Sequence, residues 1–163
     1  MKFLYSKINY VWRIFATGFC FGCFGLGGIV MGYLIFPLVR LTTLSSVVRI
    51  RRTQYLIHLS FRFFCGMMQF LGVGRFTFIG FEKLKKDQGL IIISNHPTLI
   101  DYVVIVSRLK QCNIIVKDAL WHNPYVKQVI RSAGYIPNRH SSELLALVKD
   151  SLATGNNLLV FPE

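Results

Sequence analysis

The chain has 163 residues, 53% of them hydrophobic and 16% charged, and its mean hydropathy is +0.47. So much apolar content excludes a disordered chain, so little charge excludes a protein that meets only water, and the length suits one domain. Nineteen Lys and Arg against seven Asp and Glu give a net charge of +12, and residues 1–80 hold nine of these cations and no acidic residue. They interleave with Phe, Leu and Ile, a pattern suited to anionic lipid headgroups; nucleic acid, the competing partner for such charge, is not expected.

Ile14–Val39 is a run of 26 residues without a charge, between Arg13 and Arg40. As a helix it is about 39 Å long, against a hydrocarbon thickness of roughly 30 Å, so a membrane helix is expected, with Pro37 near its end. Whether it crosses the bilayer or lies in one leaflet is open at this level. Gly18 and Gly22, and Gly28 and Gly32, have the spacing that allows close helix approach, and equally that of a loosely packed helix. Cys20 and Cys23 form a C-x-x-C inside this run and read as small buried hydrophobes rather than a metal or disulfide pair. Ser45–Leu71 reads as a second helix in which Arg49, Arg51, Arg52 and Arg62 alternate with large apolar residues. That texture suits the membrane interface or a docked helix.

From about residue 76 the texture changes to short apolar runs separated by helical stretches. Strands are expected at Phe76–Phe81, Leu90–Ser94, Asn113–Lys117, Tyr135–Ile136 and Asn157–Phe161, with helices at Thr98–Leu109, Asn123–Ala133 and Ser141–Ala153. This alternation predicts an α/β layered fold with a largely parallel sheet, whose functional residues gather at the carboxyl ends of the strands. The expected divisions are a membrane anchor over 1–44, a basic amphipathic helix over 45–74 and a catalytic part over 75–163.

The sharpest chemical feature is Asn95-His96-Pro97-Thr98-Leu99-Ile100-Asp101. A histidine at a strand end, with a carboxylate in the first turn of the next helix, can form a pair. The carboxylate then fixes the imidazole tautomer and raises the basicity of the other ring nitrogen. Thr98-x-x-Asp101 is equally close to a capping box, in which Asp101 only holds the helix start.

Asn-His-x4-Asp after an apolar strand resembles the first signature of the 1-acyl-sn-glycerol-3-phosphate (lysophospholipid) acyltransferase family. Three further stretches fall in the family's order: Val116-Lys117-Asp118-Ala119-Leu120-Trp121, then Ala133-Gly134-Tyr135-Ile136-Pro137-Asn138-Arg139, then Leu158-Leu159-Val160-Phe161-Pro162-Glu163. In the second signature the count from glycine to arginine is one residue shorter than usual, which places His140 at the usual position. The sequence ends at Glu163, before the Gly-Thr-Arg that completes the third signature, so the chain reads as an N-terminal part of the catalytic domain, incomplete at its C-terminus and inactive alone.

The resemblance implies acyl transfer from acyl-CoA or acyl-acyl carrier protein to the free hydroxyl of a lysophospholipid, with His96 as general base and Asp101 as its partner. It implies headgroup binding by Arg139 and Glu163, with Asn95 and Lys117 as further substrate-side candidates. Lys117 reads first as a solvated strand end, with a place facing the phosphate as the other reading. No cofactor and no metal is expected, the acyl donor being a substrate. The expected partners are membrane lipids and the lysophospholipid acceptor, with an acidic acyl carrier protein as a partner the positive charge would attract. The catalytic part is expected on the cytoplasmic side of a membrane. The competing readings are a non-catalytic membrane-bound fragment and acylation of a non-glycerol lipid.

Overall fold

The computed structural model describes residues 2–86, 88–95, 98, 100–138 and 141–162. It opens with one helical rod, made of α1 (Lys2–Val30), a π-helical turn (Met31–Ile35) and α2 (Phe36–Thr42). Pro37, expected at the end of the membrane helix, lies inside the rod, in the first turn of α2. It has no N–H for the carbonyl four residues earlier, and its ring would crowd that carbonyl. The π turn takes up the mismatch, with the Phe36 N–H donating to the Met31 carbonyl, and the helix continues to Thr42.

Helix α3 (Ser46–Phe70) doubles back along the rod. Trp12 Nε1 donates to the Leu71 carbonyl at 3.1 Å, the Phe24 ring packs 6.1 and 5.1 Å from the rings of Phe61 and Phe64, and Arg52 Nη1 donates to Thr43 Oγ1 at 2.8 Å. One face of α3, carrying Thr53, Gln54, Ile57, His58, Cys65 and Met68, is buried. His58 Nδ1 lies 3.0 Å from the Val106 carbonyl, so this face docks on the α/β part.

The remaining elements are α4 (Phe81–Lys86), β1 (Ile91–Ile93), α5 (Ile100–Val106), β2 (Cys112–Lys117), α6 (Asp118–His122), α7 (Lys127–Ser132), β3 (Ile136–Asn138), α8 (Ser141–Ala153) and β4 (Asn157–Val160). The four strands form one all-parallel sheet in the order β1-β4-β2-β3. Register aligns Ile92, Leu159 and Ile114 across three strands, and Ile91, Leu158 and Asn113 beside them. Since side chains alternate between faces, the first row points to one layer and the second to the other. The first layer is the core: Ile92, Ile114, Leu159, Cys112 and Val116 meet Ile57, Val106, Ile130, Tyr135 and, from the helical rod, Phe36. The opposite face is covered over β3 and β4 by α8, where Asn113 Nδ2 donates to Ser151 Oγ at 2.6 Å.

A buried polar bridge ties α3 to the amino edge of this sheet. Gln54 Nε2 donates to Asn113 Oδ1 at 2.5 Å and to the Ala133 carbonyl at 2.9 Å. Buried polar groups need such partners, and here the two partners come from β2 and from the residue that follows α7.

Phe76–Phe81 is not a strand, contrary to the sequence expectation. The segment is irregular up to Gly80, whose φ of +76° turns the chain into α4. Its aromatic rings pack instead of pairing: Arg108 lies 3.8 Å over the Phe78 ring, and Phe78 meets Phe81 edge-on at 5.4 Å. The expected helix at Thr98–Leu109 is shorter than its pattern, and the short helices α4 and α6 were not foreseen.

Candidate active site

In a parallel sheet every strand points the same way, so the residues that follow the four strands share one edge. The Ser94 N–H donates to the Val160 carbonyl at 3.2 Å, which extends the β1–β4 ladder by one residue and leaves Asn95 exposed at that edge. The Asn95 carbonyl accepts from Ser94 Oγ at 3.2 Å. Lys117 closes β2, is exposed, and stands in register with Asn138, the last residue of β3. With neighbouring strands roughly 4.8 Å apart, the edge from β1 to β3 is about 14 Å wide.

Asp101 lies in the first turn of α5 and is half-buried. Its Oδ2 accepts from the Thr98 N–H at 2.7 Å, and its own N–H donates to the Thr98 carbonyl at 3.1 Å. This is the reach-back half of a capping box, and it fixes the carboxylate against backbone. The arrangement leaves the chemistry open to either role, since a carboxylate held by an amide can still orient a neighbouring imidazole.

Of the sequence-derived candidates, the structure places Asn95, Asp101 and Lys117. His96, Arg139 and Glu163 lie outside the described residues, as does His140. The residues immediately before Arg139 and Glu163, Asn138 and Pro162, are described and belong to the same carboxyl edge.

Two features beside the site were not foreseen. Tyr102, the residue after Asp101, donates its phenol to the Tyr135 phenol at 2.5 Å, with the rings edge-on at 6.3 Å. Burial holds both phenols above their ordinary pKa; Tyr135 raises Tyr102 further, while the Tyr102 hydrogen bond only partly offsets the rise at Tyr135, so both stay neutral. This joins the start of α5 to the start of β3. The signal in the sequence was only that Tyr135 sits inside a quoted motif and Tyr102 directly follows one. Beyond β2, Asp118 and His122 face each other one helical turn apart at 3.5 Å, both well exposed, and Arg131 lies 5.7 Å over the Trp121 ring.

Residues 75–163 match the model of the Acyltransferase family, more than half of the chain. The parallel sheet and its carboxyl-edge constellation therefore belong to a transferase of acyl groups. The chain is a member of the acyltransferase family that includes the 1-acyl-glycerol-3-phosphate acyltransferases. Neither a search of curated proteins nor one of solved structures returned a match.

Proposed function

We propose that the protein transfers a fatty acyl group from a thioester, acyl-CoA or acyl-acyl carrier protein, to the free hydroxyl of a lysophospholipid such as 1-acyl-glycerol-3-phosphate. The observation that carries this reading is the backbone-anchored carboxylate of Asp101 in the first turn of α5, a few residues beyond the carboxyl end of β1, within a chain of the acyltransferase family. A carboxylate fixed at that point is the partner a histidine at position 96 would need.

In this reading His96 takes the proton of the acceptor hydroxyl as the oxygen attacks the thioester carbonyl. The C–O bond forms, the tetrahedral intermediate collapses, the C–S bond breaks, and the thiolate leaves with the proton returned from the imidazolium. General-base help of this kind contributes about 10²–10⁴-fold. Arg139 and Glu163 serve the acceptor headgroup, Arg139 through paired bonds to phosphate oxygens. Asn95 and Lys117 border the same edge. No cofactor takes part. The catalytic part faces the cytoplasm, a side favoured by Arg40, Arg49, Arg51 and Arg52 following the apolar run.

The test is acyl transfer to 1-acyl-glycerol-3-phosphate in vesicles, with radiolabelled acyl-CoA, in the wild-type and His96→Ala proteins. Loss of product with membrane binding retained supports the assignment. Near-normal turnover by His96→Ala would sink it. Wild-type transfer to an amine- or sugar-bearing lipid but not to the glycerol acceptor would move the substrate class to a non-glycerol lipid.

A further inference from the structure

Asp101 and the strand that leads to Arg139 belong to opposite edges of the sheet. The start of α5 follows β1, and Arg139 follows β3. In the order β1-β4-β2-β3 these are the two edge strands, with two others between them. Ladder hydrogen bonds fix each strand against its neighbours, and twist accumulates from strand to strand, so the ladder alone ties the two edges loosely. The Thr98–Asp101 contacts do not tie them either, since they lie within a span of four residues.

Tyr135 is a fixed post. The Ala133 carbonyl accepts from Gln54 Nε2 at 2.9 Å, Gly134 turns the chain, and the Tyr135 N–H donates to the Ile130 carbonyl at 3.1 Å. One residue further on, Ile136 enters register with Ile115 of β2. Tyr135 is 5% exposed, and α3, α7 and β2 together set where it stands. Tyr102 is held from the other side by Phe61, edge-on to its ring at 5.6 Å. The bond between the two phenols, at 2.5 Å, joins the start of α5 to that post.

Stability alone does not call for hydroxyls at this point. Two phenylalanines would bury the same rings, and exchanging both members of a buried polar pair for apolar groups of like shape is nearly neutral. What the hydroxyls add is distance and direction, because a hydrogen bond weakens steeply away from its preferred geometry. We infer that Tyr102 and Tyr135 are positioning residues for acyl transfer, whose bond holds the start of α5, and with it the Asp101 carboxylate, at a set distance from the strand that leads to Arg139. The inference rests on the acyl-transfer reading above. A base beyond one strand and a headgroup site beyond another must be spaced to suit one acceptor molecule, and a misplacement of about 1 Å can cost about 10²-fold in rate.

The test compares wild type with Tyr102→Phe/Tyr135→Phe in three measurements: urea unfolding, amide hydrogen exchange, and acyl transfer from radiolabelled acyl-CoA to 1-acyl-glycerol-3-phosphate in vesicles. The double variant is expected to unfold close to the wild-type midpoint. Exchange of the Asp101 N–H, which donates to the Thr98 carbonyl, should quicken roughly tenfold. Exchange of the Leu158 N–H, bonded to the Leu90 carbonyl, should stay as in wild type. In transfer, kcat should fall about tenfold with the acceptor KM within about twofold, the pattern of an acceptor that is bound but misaligned.

A wild-type kcat in the double variant overturns the inference and leaves the pair as core packing, and so does unchanged exchange at Asp101. Ile57→Val, a core change on α3 that keeps both phenols, controls for loosened packing. An equal loss of kcat in Ile57→Val overturns the inference too. If the double variant does not fold, Tyr135→Phe alone is read against Ile57→Val in the same three measurements. A wild-type chain that transfers no acyl group sinks the acyl-transfer reading and takes this inference with it, whereas an active wild type with an unaffected double variant sinks the inference alone.

Discussion

The phenol of Tyr102 and the phenol of Tyr135, 33 positions apart in the chain, meet at 2.5 Å inside the core. Tyr102 follows Asp101 directly and Tyr135 opens the approach to β3, so this one bond sets where the first turn of α5 stands relative to the far side of the sheet. Phe61 of α3 closes over the Tyr102 ring, which ties the same point to the helix that carries the N-terminal rod.

Removing one member of the pair strands the other phenol in an apolar site. Tyr102→Phe and Tyr135→Phe are each expected to cost about 1–3 kcal/mol in urea unfolding, the desolvation cost of an unmet hydroxyl. The double variant should lose less than the two single losses added together, because neither polar group is then left without its partner. Additive losses would show that the bond contributes nothing beyond ring packing.

The contrast between this pair and the strands shows what the sequence could reveal. Leu90–Ser94 and Asn157–Phe161 are short continuous apolar runs, and β1 and β4 lie within them; β4 is buried inside the sheet, whereas β1 is an edge strand that leaves Ile91 and Ile93 exposed. Phe76–Phe81 has a similar texture, yet its rings find Arg108 and each other, and a local pattern cannot tell ring packing from strand pairing. The Thr98–Asp101 contact was visible as a spacing of three residues. Tyr102–Tyr135, Gln54–Asn113 and Tyr33–Pro124 were not, because each joins segments that only the folded chain brings together.

Gly134 shows a motif glycine with a backbone reason. Helix α7 ends in a Schellman turn, with the Tyr135 N–H on the Ile130 carbonyl and the Gly134 N–H on the Arg131 carbonyl, and Gly134 takes a φ of +66°. A Cβ there would also lie 2.9 Å from Ile50 Cδ1 of α3. Gly134→Ala is expected to destabilise by about 1–3 kcal/mol from the left-handed backbone and the clash together. Shortening the neighbour in Gly134→Ala/Ile50→Ala should remove the clash but not the backbone cost. Thermal unfolding of both chains separates the two contributions, and a Gly134→Ala chain as stable as wild type would refute the argument.

Burial pushes the Cys112 thiol up to about 12, partly offset by a hydrogen bond with the Leu159 backbone. An exposed thiol in the unfolded chain ionises near about 8.5. Between those values the unfolded chain sheds a proton that the folded chain keeps. The contribution is therefore full below about 8.5 and is lost as pH rises towards 12, at about 1.4 kcal/mol per pH unit for one such group. Tyr102 and Tyr135 act in the same direction at higher pH. Urea midpoints should fall between about pH 8.5 and pH 10, and Cys112→Ala should fall less steeply over that interval. Equal slopes would mean that the thiol does not carry the dependence.

Asp101 has two roles to separate, because its carboxylate holds the Thr98 N–H and is also the expected partner of His96. Asp101→Asn keeps an oxygen that can accept from Thr98, so the start of α5 should survive with less than about 0.5 kcal/mol lost. What it removes is the negative charge that would steady an imidazolium. Asp101→Ala removes both, and should add the cost of a lost capping contact, about 1 kcal/mol. In acyl transfer, both variants are expected to fall by about 10²-fold or more if the carboxylate serves the base. Measuring unfolding and turnover on the same preparations decides between the roles. An Asp101→Asn chain that folds normally and turns over normally leaves Asp101 as a cap alone. One that folds normally and has lost turnover places the charge in the chemistry, because helix capping alone cannot produce a rate loss without a stability loss.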